Sequence, residues 1–501
     1  MIEEIFQKLR KEFLYKNNEK RIEQQQWLFE YYVGDKDAII KYLDDALALT
    51  FDEDDIVEFQ KDYINVTKKI INALSVVYKE PAVRYFAEEF SLSSSRLKGK
   101  FTEYYSSLTG STNTIDKTIN RYGNLFNTAL TEVQFDVVTG KIRYINRSSH
   151  FYDVITDENN IYKPIEVRYQ REMTLKGKPE VVTIVWTEKD HYGVTGLGND
   201  FRIGDNKQGI NPFGVIPFAV LRMEEQGDFW GCGQTDLVNG NEQINFLLTD
   251  LINGGVIMQA WGTPVVVNMQ MNKKSVDTGV TETKRVRMGP KHPLVAEGVR
   301  KDMTQPSLEF KNANPLIREV MDVIDWKINK LAAIKGINPN TILLNIKDAS
   351  GFSKIVDAVE QLELRRDSIE PCREYEKQRF EITKAVNNYY ADTLIGRKFK
   401  LEKIPQDLSF VVDFSEIKMP ITVGDRVVED QYKLSNNIIS VLDIARRDNP
   451  DLTDDQLMGI ISNNKKINDE LGIVRTPANV NNVNAQMTKT NIQKSGADTV
   501  M

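Results

Sequence analysis

The sequence predicts an α+β fold, helical at both ends, with β-rich stretches between. Three observations carry this. Residues 234 to 393 read as helix, short β-rich insert, helix, loop and long helix. From about 131 to 223 the apolar period is two rather than helical. Residues 1 to 92, and those after about 423, show helical spacing.

Taken in order, residues 22 to 33 form a helix with Trp27, Leu28 and Tyr31 on one face, and Gly34-Asp35 breaks it. Asp52, Glu53, Asp54 and Asp55 read as a solvated turn before they read as an ion site. Residues 63 to 78 are helical in pattern, through Ile64, Thr67, Ile71, Leu74 and Val77, and Pro81 closes them. A helix over 115 to 129 follows a Ser-rich stretch. Val133, Phe135 and Val137 alternate, Thr139-Gly140 turns, and Ile142 and Tyr144 return. Ile165, Val167 and Tyr169 pair the same way with Val182, Ile184 and Trp186, and 217 to 221 is a last strand.

Helix 235 to 259 has Leu237, Ile244, Leu247, Leu248, Leu251 and Ile252 at helical spacing, with Thr235 as its cap. Residues 264 to 271 alternate, and turn residues fill the chain to 312. Asn314 and Pro315 then start a helix whose stripe is Leu316, Ile317, Val320, Ile324, Ile328 and Leu331, and Gly336 stops it. That stripe fits burial within one chain or packing on the same helix of a neighbour. Residues 336 to 351 lack periodicity, and loops of this length are often functional. Gly336 and Gly351 suit hinges. Ile342, Leu343, Leu344 and Ile346 are too apolar for a solvated loop. A helix from 352 to 391 carries Pro371, which should kink it. A strand at 408 to 414, helices from 423, a capping box at Thr453 and Gln456, and a disordered polar tail from 475 complete the chain.

The whole chain narrows the function. Its 501 residues suggest two to four domains. A net charge of −7 argues against tight nonspecific binding of nucleic acid. Cys232 and Cys372 are the only cysteines, so a reducing compartment is expected. No uncharged 20-residue apolar run suggests a membrane span or signal peptide. His150, His191 and His292 lie far apart, and no zinc, HExxH or phosphate-loop spacing occurs. Residues 186 to 191 could be drawn as an acid–base cluster, but a polar hairpin tip accounts for them. No catalytic residue, metal site or cofactor is therefore expected. Two basic groups stand out: Lys273 with Lys274, and Lys284, Arg285, Arg287 and Lys291. They suit a solvated strand face or a docking surface for an acidic partner.

Three stretches in this order resemble the portal proteins of tailed bacteriophages. The first is Tyr63-Ile-Asn-Val-Thr-Lys-Lys-Ile-Ile-Asn-Ala-Leu-Ser-Val-Val-Tyr-Lys-Glu-Pro81 with Arg84. The second is Phe229-Trp-Gly-Cys-Gly-Gln-Thr-Asp-Leu237 through Leu247-Leu-Thr-Asp250. The third is Asn436-Asn-Ile-Ile-Ser440 with Asp448-Asn-Pro-Asp451. The resemblance covers roughly 20 to 472 and implies a portal fold. Its wing would be 1–233 with 352–420, its stem helices 235–259 and 315–335, and its clip 260–314. The tunnel loop would be 336–351 and the crown about 421–474, shorter than the family's usual one and followed by a polar tail.

The implied function is a homo-oligomeric ring, usually of twelve subunits, at one capsid vertex. Double-stranded DNA would be packaged and ejected through its channel. The large terminase subunit, the head–tail adaptor and the major capsid or scaffolding protein would be partners, with no membrane. The chain would sit in the virion, and in the host cytoplasm during assembly. On this reading Asn338, Asn340, Thr341, Asn345 and Lys347 line the channel, with Lys347 the charge nearest DNA. Leu248, Ile252, Ile324 and Ile328 form the subunit interface. The two basic groups dock the motor or connector. The alternative is a cytoplasmic α+β enzyme with a helical regulatory arm. A filament-forming helical scaffold is a third reading, against which the β stretch argues.

Overall fold

The computed structural model describes residues 2–49, 53–89, 99–175, 178–195, 200–201, 203, 208–257, 263–267, 269–271, 296–298, 307–311, 317–339, 351–414, 430–436, 438–449 and 454–470. The fold is α+β, in two compact units, Met1–Ile417 and Lys418–Met501.

Four helices open the first unit: α1 (Ile2–Val33), α2 (Lys36–Leu47), α3 (Glu53–Glu58) and α4 (Val66–Leu74). Gly34, at φ +80°, ends α1, and the Asp35 carboxylate caps α2 by accepting from the Asp37 and Ala38 N–H groups. The helical stretch expected over 63 to 78 is shorter than its pattern, because the backbone before Val66 is bonded elsewhere. Strand β1 (Ala82–Phe86), α5 (Lys100–Thr109) and α6 (Asn113–Phe126) follow. Helix α6 stops three residues earlier than its apolar pattern does. Asn127 turns the chain at φ +70°, and β2 (Thr128–Asp136) begins at once. Residues 128 to 133 are buried without a break, so the alternation that marks a one-sided strand is missing at its start.

Strands β2, β3 (Lys141–Asn146) and, far later, β9 (Phe218–Arg222) form one sheet in the order β3-β2-β9. A second sheet runs in sequence order through β4 (Tyr152–Thr156), β5 (Pro164–Leu175), β6 (Lys178–Thr187), β7 (His191–Thr195) and β8 (Asp200–Phe201). Both expected hairpins are present, with Phe135 opposite Ile142 and Tyr169 opposite Ile184. Residues 188 to 190 are the tip between β6 and β7.

Helices α7 (Thr235–Asp250) and α8 (Ile317–Ile334) pack together. Gln234, not Thr235, is the N-cap of α7, and residues 251–257 continue as π-helical turns. Between the helices, β10 (Thr263–Val267) pairs with β13 (Ser307–Lys311), and β11 (Met269–Met271) with β12 (Ala296–Gly298). Helix α9 (Gly351–Ala391) spans 41 residues and carries Pro371 within it. Helix α10 (Leu394–Phe399) and β14 (Phe410–Phe414) close the unit, with β14 antiparallel to β1. One core joins Leu28, Tyr31, Ile39 and Ile70 to Leu237, Ile244 and Ala332. Another packs Tyr375, Ile382 and Val386 of α9 against Val133, Ile142, Tyr144 and Leu221 of the smaller sheet.

In the second unit, α11 (Val441–Asp448) carries a capping box between Ser440 and Asp443, and α12 (Asp454–Glu470) packs on it. Arg447 makes a bidentate pair with Asp430 at 2.8 Å. Leu457 is buried, whereas Tyr432, Ile438, Met458 and Ile460 are exposed. The capping box expected at Thr453 and the tail from 475 lie outside the described residues.

Candidate assembly and channel site

Helix α7 is held by a polar ladder along one face. Asn241, Asn245, Thr249 and Asn253 recur every fourth residue, so they stack on one side of the helix. An irregular segment, residues 60 to 65, and the first turn of α4 run antiparallel beside them. Asn253 accepts from the Gln60 N–H at 2.9 Å and donates to the Gln60 carbonyl at 2.8 Å. The Thr249 hydroxyl bonds both the N–H and the carbonyl of Asp62 at 3.2 Å. Asn245 accepts from the Ile64 N–H at 3.0 Å, and Asn241 donates to the Ile64 carbonyl at 2.8 Å. Asn241 also accepts from the Thr67 N–H at 2.9 Å. These side chains supply what a neighbouring strand would, so the segment stays irregular and α4 starts late. Sequence reasoning followed the leucines of α7 and missed the four-residue polar spacing, which was the available signal.

Helix α8 lies so close to α7 that Gly240 leaves no room for a side chain. A Cβ there would sit 2.5 Å from Leu331 Cδ2. Lys335 to Asp236, at 2.7 Å, and Lys327 to Gln243, at 2.8 Å, tie the two helices across their polar edges. At its end, Gly336 takes φ +66°, the Ile337 N–H bonds the Ala332 carbonyl at 3.0 Å, and Ile337 tucks into the core.

The expected subunit interface needs a correction here. Ile324 and Ile328 are only 5% and 8% exposed within a single chain. They are covered by the core that α1, α2, α4, α6 and α7 build, so no neighbour is needed to bury them. Leu248 packs against the same core and Ile252 is half-buried. The opposite face of α8 carries exposed apolar residues instead. Trp326 is 57% and Ile334 61% exposed, with Val323 beside them and the Lys330 Nζ 4.9 Å from the Trp326 ring centre.

Of the expected channel residues, Asn338 follows α8 and is half-buried. Asn340, Thr341, Asn345 and Lys347 lie outside the described residues, as do Lys273, Lys274, Lys284, Arg285, Arg287 and Lys291. Gly351 is the first residue of α9. The helix runs without interruption through Pro371.

The middle of α9 is fixed by a buried ionic cluster that the sequence did not announce. Arg379 reaches Asp116 at 2.7 Å and Glu376 at 2.8 Å. Arg84, from β1, reaches Asp116 at 2.6 Å and Glu376 at 2.7 Å. Tyr78 donates to Glu376 at 2.9 Å and Thr112 to Asp116 at 2.7 Å. Burial would raise the Asp116 carboxyl, but the guanidinium groups of Arg379 and Arg84 outweigh it and hold the acid below its ordinary value. Burial pushes the neighbouring Cys372 thiol far up, which leaves it inert as a nucleophile. The cluster holds β1, α6 and α9 together, with Asp116, Glu376 and Arg379 buried and each charge paired, so its chemistry is structural.

No helix among the described residues is long and apolar enough to cross a membrane. No protein-family model matches the sequence, and no curated protein matches it. Among the solved structures that match it are the following two. One is described as "Neck of empty GTA particle computed with C6 symmetry", with 9% identity over 75% of this chain and 88% of that one, at a TM-score of 0.34. The other is "Virion of native gene transfer agent (GTA) particle", with 9% identity over 74% and 85%, at a TM-score of 0.31. Likenesses at this level carry no argument, and the functional reading rests on the chain's own residues.

Proposed function

We propose that the chain is a portal subunit of a tailed phage or phage-like particle. It assembles into a ring through which double-stranded DNA enters and leaves a capsid. The observation that carries this reading is the two-faced helix α8. Its inner face is satisfied by its own chain, yet Val323, Trp326 and Ile334 stand in water on the outer face. A repeated head-to-tail contact that covers such a face closes into a ring when the rotation fits. The order of stretches that resembles portals supports the same conclusion.

In this ring α7 and α8 are the stem, and the paired strands β10 to β13 belong to the clip. There the basic groups at 273–274 and 284–291 meet the terminase motor and later the head–tail adaptor. The loop between α8 and α9 faces the channel, with Lys347 nearest the phosphates. The wing meets the capsid or scaffolding protein. The negative net charge suits a channel in which DNA slides, because a basic lining would hold it.

Electron microscopy and light scattering of the purified protein test the proposal. Rings with a central hole and the mass of about twelve 57.4 kDa chains are expected. A monodisperse monomer to tetramer at every concentration and salt tried would overturn it.

A further inference from the structure

We propose that the open edge of β3 is a docking groove for an extended acidic segment of a partner protein, which adds a strand to the β3-β2-β9 sheet. The groove has a volume of about 310 Å³ and is lined by Lys141, Ile142, Arg143 and Tyr144 in succession. Successive residues of a strand point to opposite faces. A hollow that all of them reach therefore runs along the strand's edge, not over one face. Thr109, at the end of α5, and Ile115, in the first turn of α6, form the facing wall.

The edge is free. Strand β3 is the outermost of its sheet, and among the described residues no backbone hydrogen bond leaves it on the side away from β2. The opposite edge of the same sheet is engaged: the Val220 N–H of β9 donates to the Gln378 Oε1 of α9 at 2.8 Å. Edge strands are commonly guarded by a proline, a bulge or an inward-pointing charge. Strand β3 has none of these. Its register on β2 is regular from Lys141 to Asn146, and the residues that point inward are Ile142 and Tyr144. The groove is also held in shape. Asn146 donates to the Ile115 carbonyl at 2.8 Å, and the Tyr144 and Thr383 hydroxyls lie 2.9 Å apart. A row of unpaired N–H and C=O groups is met by another backbone, which argues for a peptide over a nucleic acid.

Charge sets the partner's sequence. Lys141 and Arg143 stand exposed on the outer face of β3. Lys141 makes no ion pair among the described residues, and Arg143 makes only a loose one, 3.6 Å from Asp136. Phe399 of α10 lies against Gly140 at the end of the hairpin. It brings Arg397, Lys398 and Lys400 to the same end, exposed and without acidic partners among the described residues. Such a surface repels a basic strand and admits an acidic one. A strand beside β3 alternates as β3 does. Acids at every second position meet Lys141 and Arg143, and apolar residues between them meet Ile115 and Ile142.

The groove lies within one chain, so its test does not depend on ring formation. The full chain is titrated with acetyl-Asp-Val-Glu-Val-Asp-Val-Glu-amide, and amide hydrogen exchange is read by mass spectrometry. The peptide should slow exchange in residues 141–146 and leave the second sheet unchanged. Methylating the peptide's valine nitrogens, or its acid-residue nitrogens instead, blocks one of its edges or the other. One of these forms should bind as the parent does, and the other about tenfold more weakly. Lys141→Glu with Arg143→Glu, both at exposed positions, should weaken the parent peptide about tenfold. Absence of protection at 141–146 would overturn the proposal, as would equal binding of the two methylated forms or equal binding to the charge-reversed variant. Protection that appears without peptide as protein concentration rises would give the edge to a second copy and overturn the partner assignment. A single-stranded oligonucleotide that protects these residues as well as the peptide does would overturn the peptide assignment.

Discussion

In the middle of α9, charges are sunk in the core and meet opposite charges. On the outer face of α8, large apolar side chains stand in water. Arg379 and Glu376 are fully buried, whereas Trp326 and Ile334 are open. Each placement would be costly if left without partners, and the difference lies in where partners are found. The α9 cluster is completed by Asp116 and Arg84 of the same chain. Among the described residues the α8 face has no such completion beyond Lys330 beside the Trp326 ring. One region is closed by folding; the other is the face that the proposed ring would cover.

The largest test breaks the closed side. Arg379→Met leaves Asp116 and Glu376 short of positive charge in a dry site, and such a loss costs about 3–5 kcal/mol. Urea unfolding of the variant should show that drop; a change under about 1 kcal/mol would mean that water reaches the cluster. Asn241→Leu comes next. It strips partners from the Ile64 carbonyl and the Thr67 N–H. The expected cost is about 2–3 kcal/mol, with faster amide exchange at Thr67 than in the parent.

Acid probes the closed side without mutation. The Asp116 carboxyl is lower in the folded chain than in the unfolded one. Its stabilisation is therefore complete above the unfolded value near 3.9 and is lost as pH falls through the lower folded value. Unfolding midpoints should fall in that window, and less steeply in Asp116→Asn. The smallest effect on the single chain belongs to the open side. Val323→Asp with Trp326→Asp should change unfolding free energy by no more than about 0.5 kcal/mol. The same pair should abolish rings in light scattering. Intact rings would place the subunit contact elsewhere.

Local signals were legible in the sequence, and distant ones were not. The hairpins, the stop at Gly336 and the 41-residue helix announced themselves through period and turn chemistry. The stripe through Ile324 and Ile328 was legible as a stripe, but not what would cover it. That depended on α7, which packs directly on it, and on the core that α1, α2 and α4 share with both from far upstream. Likewise, β12 is too short to show alternation, and β13, which alternates through Leu308 and Phe310, has a remote partner. The ionic cluster escaped because single charged residues at 84, 116, 376 and 379 look like any others in a chain with 72 acids. Lys347 and the basic groups of the insert remain part of the proposal, since they lie outside the described residues.

The pairing of β1 with β14 also sets a clock. Ala82 lies opposite Phe414, and Val83 opposite Asp413. A ribosome working at about 5–20 residues per second needs roughly 20 to 60 seconds to make the stretch between them. During that interval β1 has an unpaired edge, and Arg84 has no Glu376 to meet. The first unit is thus completed late, when its last strand leaves the ribosome. Until then the nascent chain presents a sticky strand edge, and any pause upstream of residue 410 lengthens its exposure to aggregation.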